Sequence, residues 1–326
     1  MMKKEEIIEN PKPNKPHIVL LGAGASLAAF PNGDANQSPL PIMNNLIEVV
    51  DLGSVLEKYA FPSSGNFETI YSKIKSEALK KEIEDKIFQY FGSLVLPRSV
   101  TIYDKLLLSL RRKDAIFTFN WDPFLFKAYQ RNRHIASLPH IFFLHGNVSI
   151  GSCETCDNWG EKSDICSNCN TRYIDVPLLY PIEKKQYFNA NQYTAMSWKS
   201  ANCWFSDAFT LTIFGYGAPT SDTEAVNLLK KAWFNGSNRQ FEHIEVIDIM
   251  SSTILAERWK EFTPTHHFSS ISRFENSRIW DWPRRSSEAL FYPMSQGMPC
   301  EKFPLIETND LSELHSAIKE IVKHEN

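Results

Sequence analysis

The sequence predicts an α/β protein with a parallel sheet covered by helices, and three observations carry that reading. Five short apolar runs each end in a small or polar residue: His17–Leu21 before Gly22, Ala115–Phe119 before Asn120, Ile141–Leu144 before His145, Leu211–Phe214 before Gly215, and His243–Ile247 before Asp248. Runs of this kind suit strands buried on both faces. Longer segments of helical periodicity alternate with them, and a chain of 326 residues, 43% hydrophobic, has apolar material for one large core.

Taken in order, residues 1–16 are polar and rich in Lys, Glu and Pro, which reads as a flexible leader before order begins at His17. Between the first two strands lies an insertion, 41–110, whose apolar spacing is helical. Asn66 is placed to start a helix in it, and Phe67, Ile70, Tyr71 and Ile74 follow an i, i+3, i+4, i+7 pattern that buries one face. Residues 149–173 change character, being rich in Cys, Asn, Gly and Ser with little apolar periodicity. The expected organisation is a main domain of 17–148 and 174–326, carrying the helical insertion 41–110, with 149–173 as a separate small module. After Asp248 aromatic residues and prolines crowd the chain, until Asp310–His324 reads as an amphipathic helix with Leu311, Leu314, Ile318 and Ile321 on its apolar side.

Composition excludes some functions. A net charge of −3 and a pI near 6.3 argue against a nucleic-acid surface. The pairs Arg111-Arg112 and Arg284-Arg285 read as solvated surface. No apolar run is long enough to span a membrane and Met1–Lys15 lacks the apolar centre of a secretory signal, so a cytoplasmic protein is expected. Six cysteines in such a chain fit metal binding better than disulfides.

The polar ends of the strands carry the chemistry. Gly22-Ala23-Gly24-Ala25-Ser26 joins a strand to a helix, and its small residues would let backbone N–H groups approach a diphosphate. Asn120 offers an amide donor and an acceptor, able to hold a ribose hydroxyl or a water. Asp122, before Pro123, is either the cap of the next helix or a ligand contact. His145 can accept a proton near neutrality, beside Gly146, a small residue that would leave room for a substrate. Gly215-Tyr216-Gly217 forms another small-residue turn, and Asp248 is either a ribose-binding carboxylate or a polar strand end facing water.

Cys153-x-x-Cys156 and Cys166-x-x-Cys169, nine residues apart, are two knuckles that can close a tetrahedral zinc site. The polar segment around them has no core of its own and needs a metal to be ordered. Four thiolates leave no open position, so the zinc is expected to be structural. Cys203 and Cys300 are isolated thiols.

In this order the motifs resemble the sirtuin (Sir2-like) superfamily from His17 to about Met250: Gly-Ala-Gly-x-Ser, then Asn-x-Asp, then His-Gly, then the paired Cys-x-x-Cys, then the Gly-rich turn. The resemblance implies a Rossmann-like NAD domain with helices on both faces and a small zinc-ribbon module. It implies that Gly22, Ala23, Gly24, Ala25 and Ser26 line the diphosphate and that Asn120 and Asp122 act near the nicotinamide ribose. His145 would be the general base, Gly215 and Tyr216 would flank the cofactor, and Asp248 would approach the adenosine ribose. Cys153, Cys156, Cys166 and Cys169 would hold zinc.

The departures point to a subtype. Where protein-deacylating sirtuins carry a Gly-Ile-Pro-Asp-Phe-Arg element, this chain reads Ala29-Phe30-Pro31-Asn32-Gly33-Asp34, without the Arg. Asn120-Trp121-Asp122 is similar to the Asn-Tyr-Asp variant of bacterial Sir2-like NAD hydrolases, many of which act in defence against phage. The resemblance therefore implies hydrolysis of NAD to nicotinamide and ADP-ribose. The alternatives are acyl-lysine deacylation or ADP-ribosyl transfer, and a non-catalytic NAD or ADP-ribose sensor in a larger assembly. An enzyme that destroys NAD needs a latent state, so an activating protein partner or homo-oligomer is expected, acting through 41–110 or the region after Met250.

Overall fold

Nine strands order the chain in the computed structural model, which describes residues 1–10, 14–156, 158–181, 191–219, 222–235, 242–263 and 267–325. They are β1 His17–Leu21, β2 Ala115–Thr118, β3 His140–Phe143, β4 Ile150–Ser152, β5 Trp159–Glu161, β6 Ile174–Asp175, β7 Thr210–Phe214, β8 His243–Ile247 and β9 Phe268–Ile271. Six form one parallel sheet in the order β3-β2-β1-β7-β8-β9, and three form a small antiparallel sheet, β5-β4-β6. The larger order is that of a doubly wound parallel sheet, the order of its strands reversing between β1 and β7.

Alternation along β1 shows why both faces need cover. Val19 and Leu21 join a core with the helical insertion, while Ile18 and Leu20 join a second core with the helices Gln192–Asp207, Thr223–Phe234 and Ser252–Trp259. Every residue of β1, β2, β7 and β8 is buried. Register then aligns the strand ends. Leu21 pairs with Thr118 and Phe214, Thr118 with Phe143, and Phe214 with Ile247. Gly22, Asn120, His145 and Gly215 consequently emerge along one edge of the sheet.

Five helices fall within 41–110, and Asn66 starts one of them: its side chain accepts from the Thr69 N–H, and Phe67, Ile70, Tyr71 and Ile74 are buried behind it. β9 is an addition to the sequence reading. Its Phe-Ser-Ser-Ile run is polar at two of four positions and all four are half-buried, so no apolar run marks it. The helix Leu311–Val322 buries Leu314, Ile318 and Ile321, with Asp310 Oδ1 capping the Ser312 and Glu313 amides.

Two expectations fail. The leader is ordered over residues 1–10: Lys4–Glu9 is helical, Ile7 and Ile8 are buried, and the Met2 N–H donates to the Pro299 carbonyl. Two isoleucines among charges are too weak a signal, yet they pack with Tyr292, Phe303 and Ile321. Residues 11–13 of that segment lie outside the described residues. The second failure is Arg284-Arg285, which are 2% and 1% exposed rather than solvated. Arg284 forks onto Glu325 at 2.8 and 2.6 Å and donates to the Leu110 carbonyl, while Arg285 reaches Glu325 at 2.7 Å and donates to the Ile8 carbonyl. The guanidinium groups are thus the fastening between the first helix and the last, their donors matched by one carboxylate and several carbonyls.

Burial pushes the Glu325 carboxyl up, but the Arg284 hydrogen bond and the two guanidinium charges outweigh it and hold it below its ordinary value. A depressed carboxylate stabilises the fold above its unfolded pKa and loses that contribution as pH falls through its folded pKa. Glu325→Gln is therefore expected to cost about 3 kcal/mol at pH 7, the low end for a broken buried pair. The difference from wild type should shrink toward zero in strong acid. Denaturant unfolding across pH checks both statements.

Candidate active site

A cavity of about 380 Å³ opens at the C-terminal edge of the sheet, at the reversal between β1 and β7. Its walls include Gly22, Ala23, Gly24, Ser26, Asn120, Asp122, His145, Gly215 and Tyr216, so nine of the residues singled out in the sequence meet at one place. Two others do not line it. Ala25 is buried behind the turn, and Asp248 turns back on its own loop, its Oδ1 accepting from the Met250 N–H at 3.0 Å.

Asn120 is held by its amide nitrogen. Nδ2 donates to the Gly22 carbonyl at 2.9 Å, to Ser26 Oγ at 3.0 Å and to Tyr103 Oη at 3.3 Å. Because the Gly22 carbonyl can only accept, this fixes which end of the amide faces the turn. The other end, Oδ1, is buried and has no hydrogen-bond partner among the described residues. An acceptor left so costs about 1–3 kcal/mol until something donates to it.

Ser26 is the hub of the network. Its hydroxyl lies 2.6 Å from Asp122 Oδ2, 2.6 Å from Tyr103 Oη and 3.0 Å from Asn120 Nδ2. A hydroxyl has one proton and two lone pairs, so donating to Asp122 obliges Tyr103 to donate to Ser26. Asp122 stands at the start of the helix Phe124–Asn132, its Oδ1 accepting from the Phe124 N–H at 3.2 Å, while its Oδ2 accepts from Ser26 within the turn. Burial pushes its carboxyl up to about 6, the Ser26 and Phe124 hydrogen bonds pulling it partly back. Tyr103 is held well above its ordinary value by burial, then by the Asp122 charge.

His145 stands against an aromatic wall. Its ring meets Phe119 edge-on at 4.7 Å, and Phe119 stacks on Tyr216 at 4.3 Å. Asn147 ties the two loops together, its Nδ2 donating to the Asp122 carbonyl at 2.6 Å. Neither Tyr103 nor Asn147 was evident in the sequence. Tyr103 sits among the leucines of a helical segment; a phenol bound for burial needs a polar partner, and that was the available signal.

The glycines owe their place to the chain itself. A Cβ on Gly22 would stand 2.6 Å from the Gly215 carbonyl oxygen, and one on Gly24 would stand 2.8 Å from Gly215 Cα. The Gly22 and Gly24 N–H groups donate to Phe214 and Gly215. The turn therefore locks onto the end of β7, and fewer of its amides face a ligand than the motif suggests. Gly146 is also corrected. Its φ is +74°, and a Cβ would meet the Pro177 carbonyl at 2.4 Å, so the space beside His145 is filled by backbone, not kept for substrate.

The four thiols of the small sheet, Cys153, Cys156, Cys166 and Cys169, have their sulfurs within 4.8 Å of one another. A tetrahedral zinc with Zn–S near 2.3 Å needs sulfurs about 3.8 Å apart, so the donor set fits a structural zinc. The knuckles are preformed by backbone bonds from the Cys153 N–H to Asn158 and from the Cys166 N–H to Thr171. Metal analysis of the purified chain is expected to find about one zinc, lost with melting of the β4–β6 module when Cys166 is replaced by Ser.

No helix of the described residues is long and apolar enough to cross a membrane. Compared by sequence, the chain matches no family model and no curated protein. Among solved structures, one described as a Sir2 homolog–NAD complex aligns with 97% of this chain and 93% of its own, at 11% identity and a TM-score of 0.40. Another, described as the structural basis for the mechanism and regulation of Sir2 enzymes, aligns with 98% and 95% at 13% identity and 0.40. A mutant Sir2 homologue in complex with ADP-ribose aligns with 98% and 94% at 13% identity and 0.38.

Proposed function

We propose that the cleft binds NAD and that Asn120 and His145 open its nicotinamide–ribose bond, with water taking the ADP-ribosyl group. The observation that carries this reading is the buried Asn120 Oδ1, an oriented acceptor on the cavity wall awaiting a donor. A ribose hydroxyl or a water supplies that donor. The cleft's place at the sheet reversal is where open α/β sheets take nucleotides, which supports the same ligand.

The positively charged pyridinium makes nicotinamide a good leaving group, so the chain must supply orientation and a place for a proton. The C1–N bond breaks with its electron pair leaving on nicotinamide, water forms the new C1–O bond, and His145 takes the proton released. Asn120 holds the ribose or the water while positive charge develops at C1. The ionised Asp122, acting through Ser26, keeps the Asn120 amide in register. A zinc held by Cys153, Cys156, Cys166 and Cys169 would tie the small module together and would leave no open position for chemistry.

Water as acceptor is favoured by the segment after Ser26. Where deacylating relatives carry the Arg-bearing element, Asp34 here closes a turn on itself, accepting from the Asn36, Ser38 and Val95 amides at 2.8 Å. The insertion supplies another wall of the cleft through Met43, Asn66, Glu68 and Phe91. A partner or second copy moving that insertion would control the reaction, as a role in phage defence requires.

Purified protein incubated with NAD tests the choice of acceptor. Nicotinamide release at the same rate with and without an acetylated peptide is the expected result. Release only with peptide would make the chain a deacylase, and tight NAD binding with no release under any activating condition would make it a sensor.

A further inference from the structure

At the opposite end of the sheet, a second cavity of about 250 Å³ lies beneath the starts of β8 and β9, against the helix Ser286–Gln296. It is lined by the polar His243, His267 and Arg278 and by the apolar Phe268, Ala289, Leu290, Pro293 and Met294. His243 is only 9% exposed, and three nitrogens are buried with no hydrogen-bond partner among the described residues: His243 Nδ1, His267 Nδ1 and Arg278 Nε. Buried polar atoms in native proteins are normally satisfied, and three orphans around one cavity ask for a common acceptor.

We propose that this cavity is a binding site for a small aliphatic monocarboxylate, its head on His243, His267 and Arg278 and its tail against Leu290, Pro293 and Met294. The charges select the ligand. Arg278 is a fixed cation, stacked over the Trp282 ring at 5.6 Å, and it repels a metal ion. Both imidazoles can present Nδ1–H as donors, and burial holds His243 down to about 3, with the charges of Arg278 and His267 adding to the effect. Glu245, whose carboxylate accepts from the Arg278 N–H at 3.2 and 3.3 Å, already offsets part of the Arg278 charge, with Asp281 nearby. At most one positive charge, partly offset, suits a monoanion over a phosphate dianion. The apolar lining suits an alkyl chain over a hydrated ion.

Titration of the full chain with hexanoate, followed by calorimetry and by imidazole NMR, tests the proposal, with inorganic phosphate and hexanol as comparison probes. Saturable hexanoate binding that shifts both His243 and His267, with phosphate and hexanol at least ~10-fold weaker, is expected. Arg278→Gln should weaken hexanoate by ~10–100-fold, the range for a hydrogen bond to a charged group. Should that variant unfold, Met294→Trp fills the cavity from a half-exposed position and should abolish binding with all three polar groups intact. No heat and no imidazole shift would mean that water alone fills the cavity and would overturn the proposal. Tighter binding of phosphate, or hexanoate binding unchanged in the folded variants, would overturn it as well.

Discussion

Asn120→Ala is expected to lower nicotinamide release from NAD by roughly 10²–10³-fold, the effect of removing one oriented polar group from a charge-developing centre. Two losses combine in it. Oδ1 disappears as the acceptor on the cavity wall, and Nδ2 no longer joins the Gly22 carbonyl to Ser26 and Tyr103. Only the first concerns chemistry, so the second should appear separately, as about 1–2 kcal/mol of stability. Asn120→Asp sharpens the distinction. It keeps an oxygen where Oδ1 stands but sets another against the Gly22 carbonyl and adds a charge near Asp122. It should therefore be at least as inactive as the alanine variant and less stable. Steady-state kinetics with denaturant unfolding of each variant checks the pair, and an alanine variant within threefold of wild type would remove Asn120 from the mechanism.

Gly215→Ala is expected to destabilise the fold by about 3–5 kcal/mol and to abolish activity with it. The new Cβ would lie 2.2 Å from the Ala25 nitrogen and 2.3 Å from the Gly24 carbonyl carbon, and the φ of +60° is one that a side chain resists. Those atoms are backbone, so relief requires the β1 turn to leave the end of β7. That turn also carries the Gly22 carbonyl, which orients Asn120, so site and fold fail together. A fall in Tm of roughly 6–15 °C is the corresponding thermal shift. By contrast Gly297, also at positive φ, has open space around it, and Gly297→Ala should cost about 1 kcal/mol.

Fold and site were legible in the sequence to different depths. β1 and β8 were recovered to the residue because every side chain in them is apolar or buried by design of a two-faced sheet, whereas β9 was missed because its two serines remove that signal. Strand ends project the residues that follow them to one edge, so Gly22, Asn120, His145 and Gly215 could be expected together from order alone. What order cannot convey is which atoms are already spoken for. The glycines read as an approach for a ligand line the cavity, and they are also where backbone meets backbone. Arg284 and Arg285 looked solvated because adjacent arginines usually are, and nothing local announces that Glu325 lies across from them. Tyr103 and Asn147 were hidden for the same reason, since their partners are distant along the chain.

The central claim is that this cleft breaks NAD with His145 as the proton acceptor. Its direct measurement is the amount of NAD consumed, nicotinamide released and free ADP-ribose formed by the wild-type chain and by His145→Ala, with no acylated peptide present. Equal amounts of the two products from the wild type, and a loss of ~10²–10⁴-fold in the variant, are predicted for a general base. NAD recovered intact from the wild type under every activating condition, or His145→Ala turning over at the wild-type rate, would contradict the account.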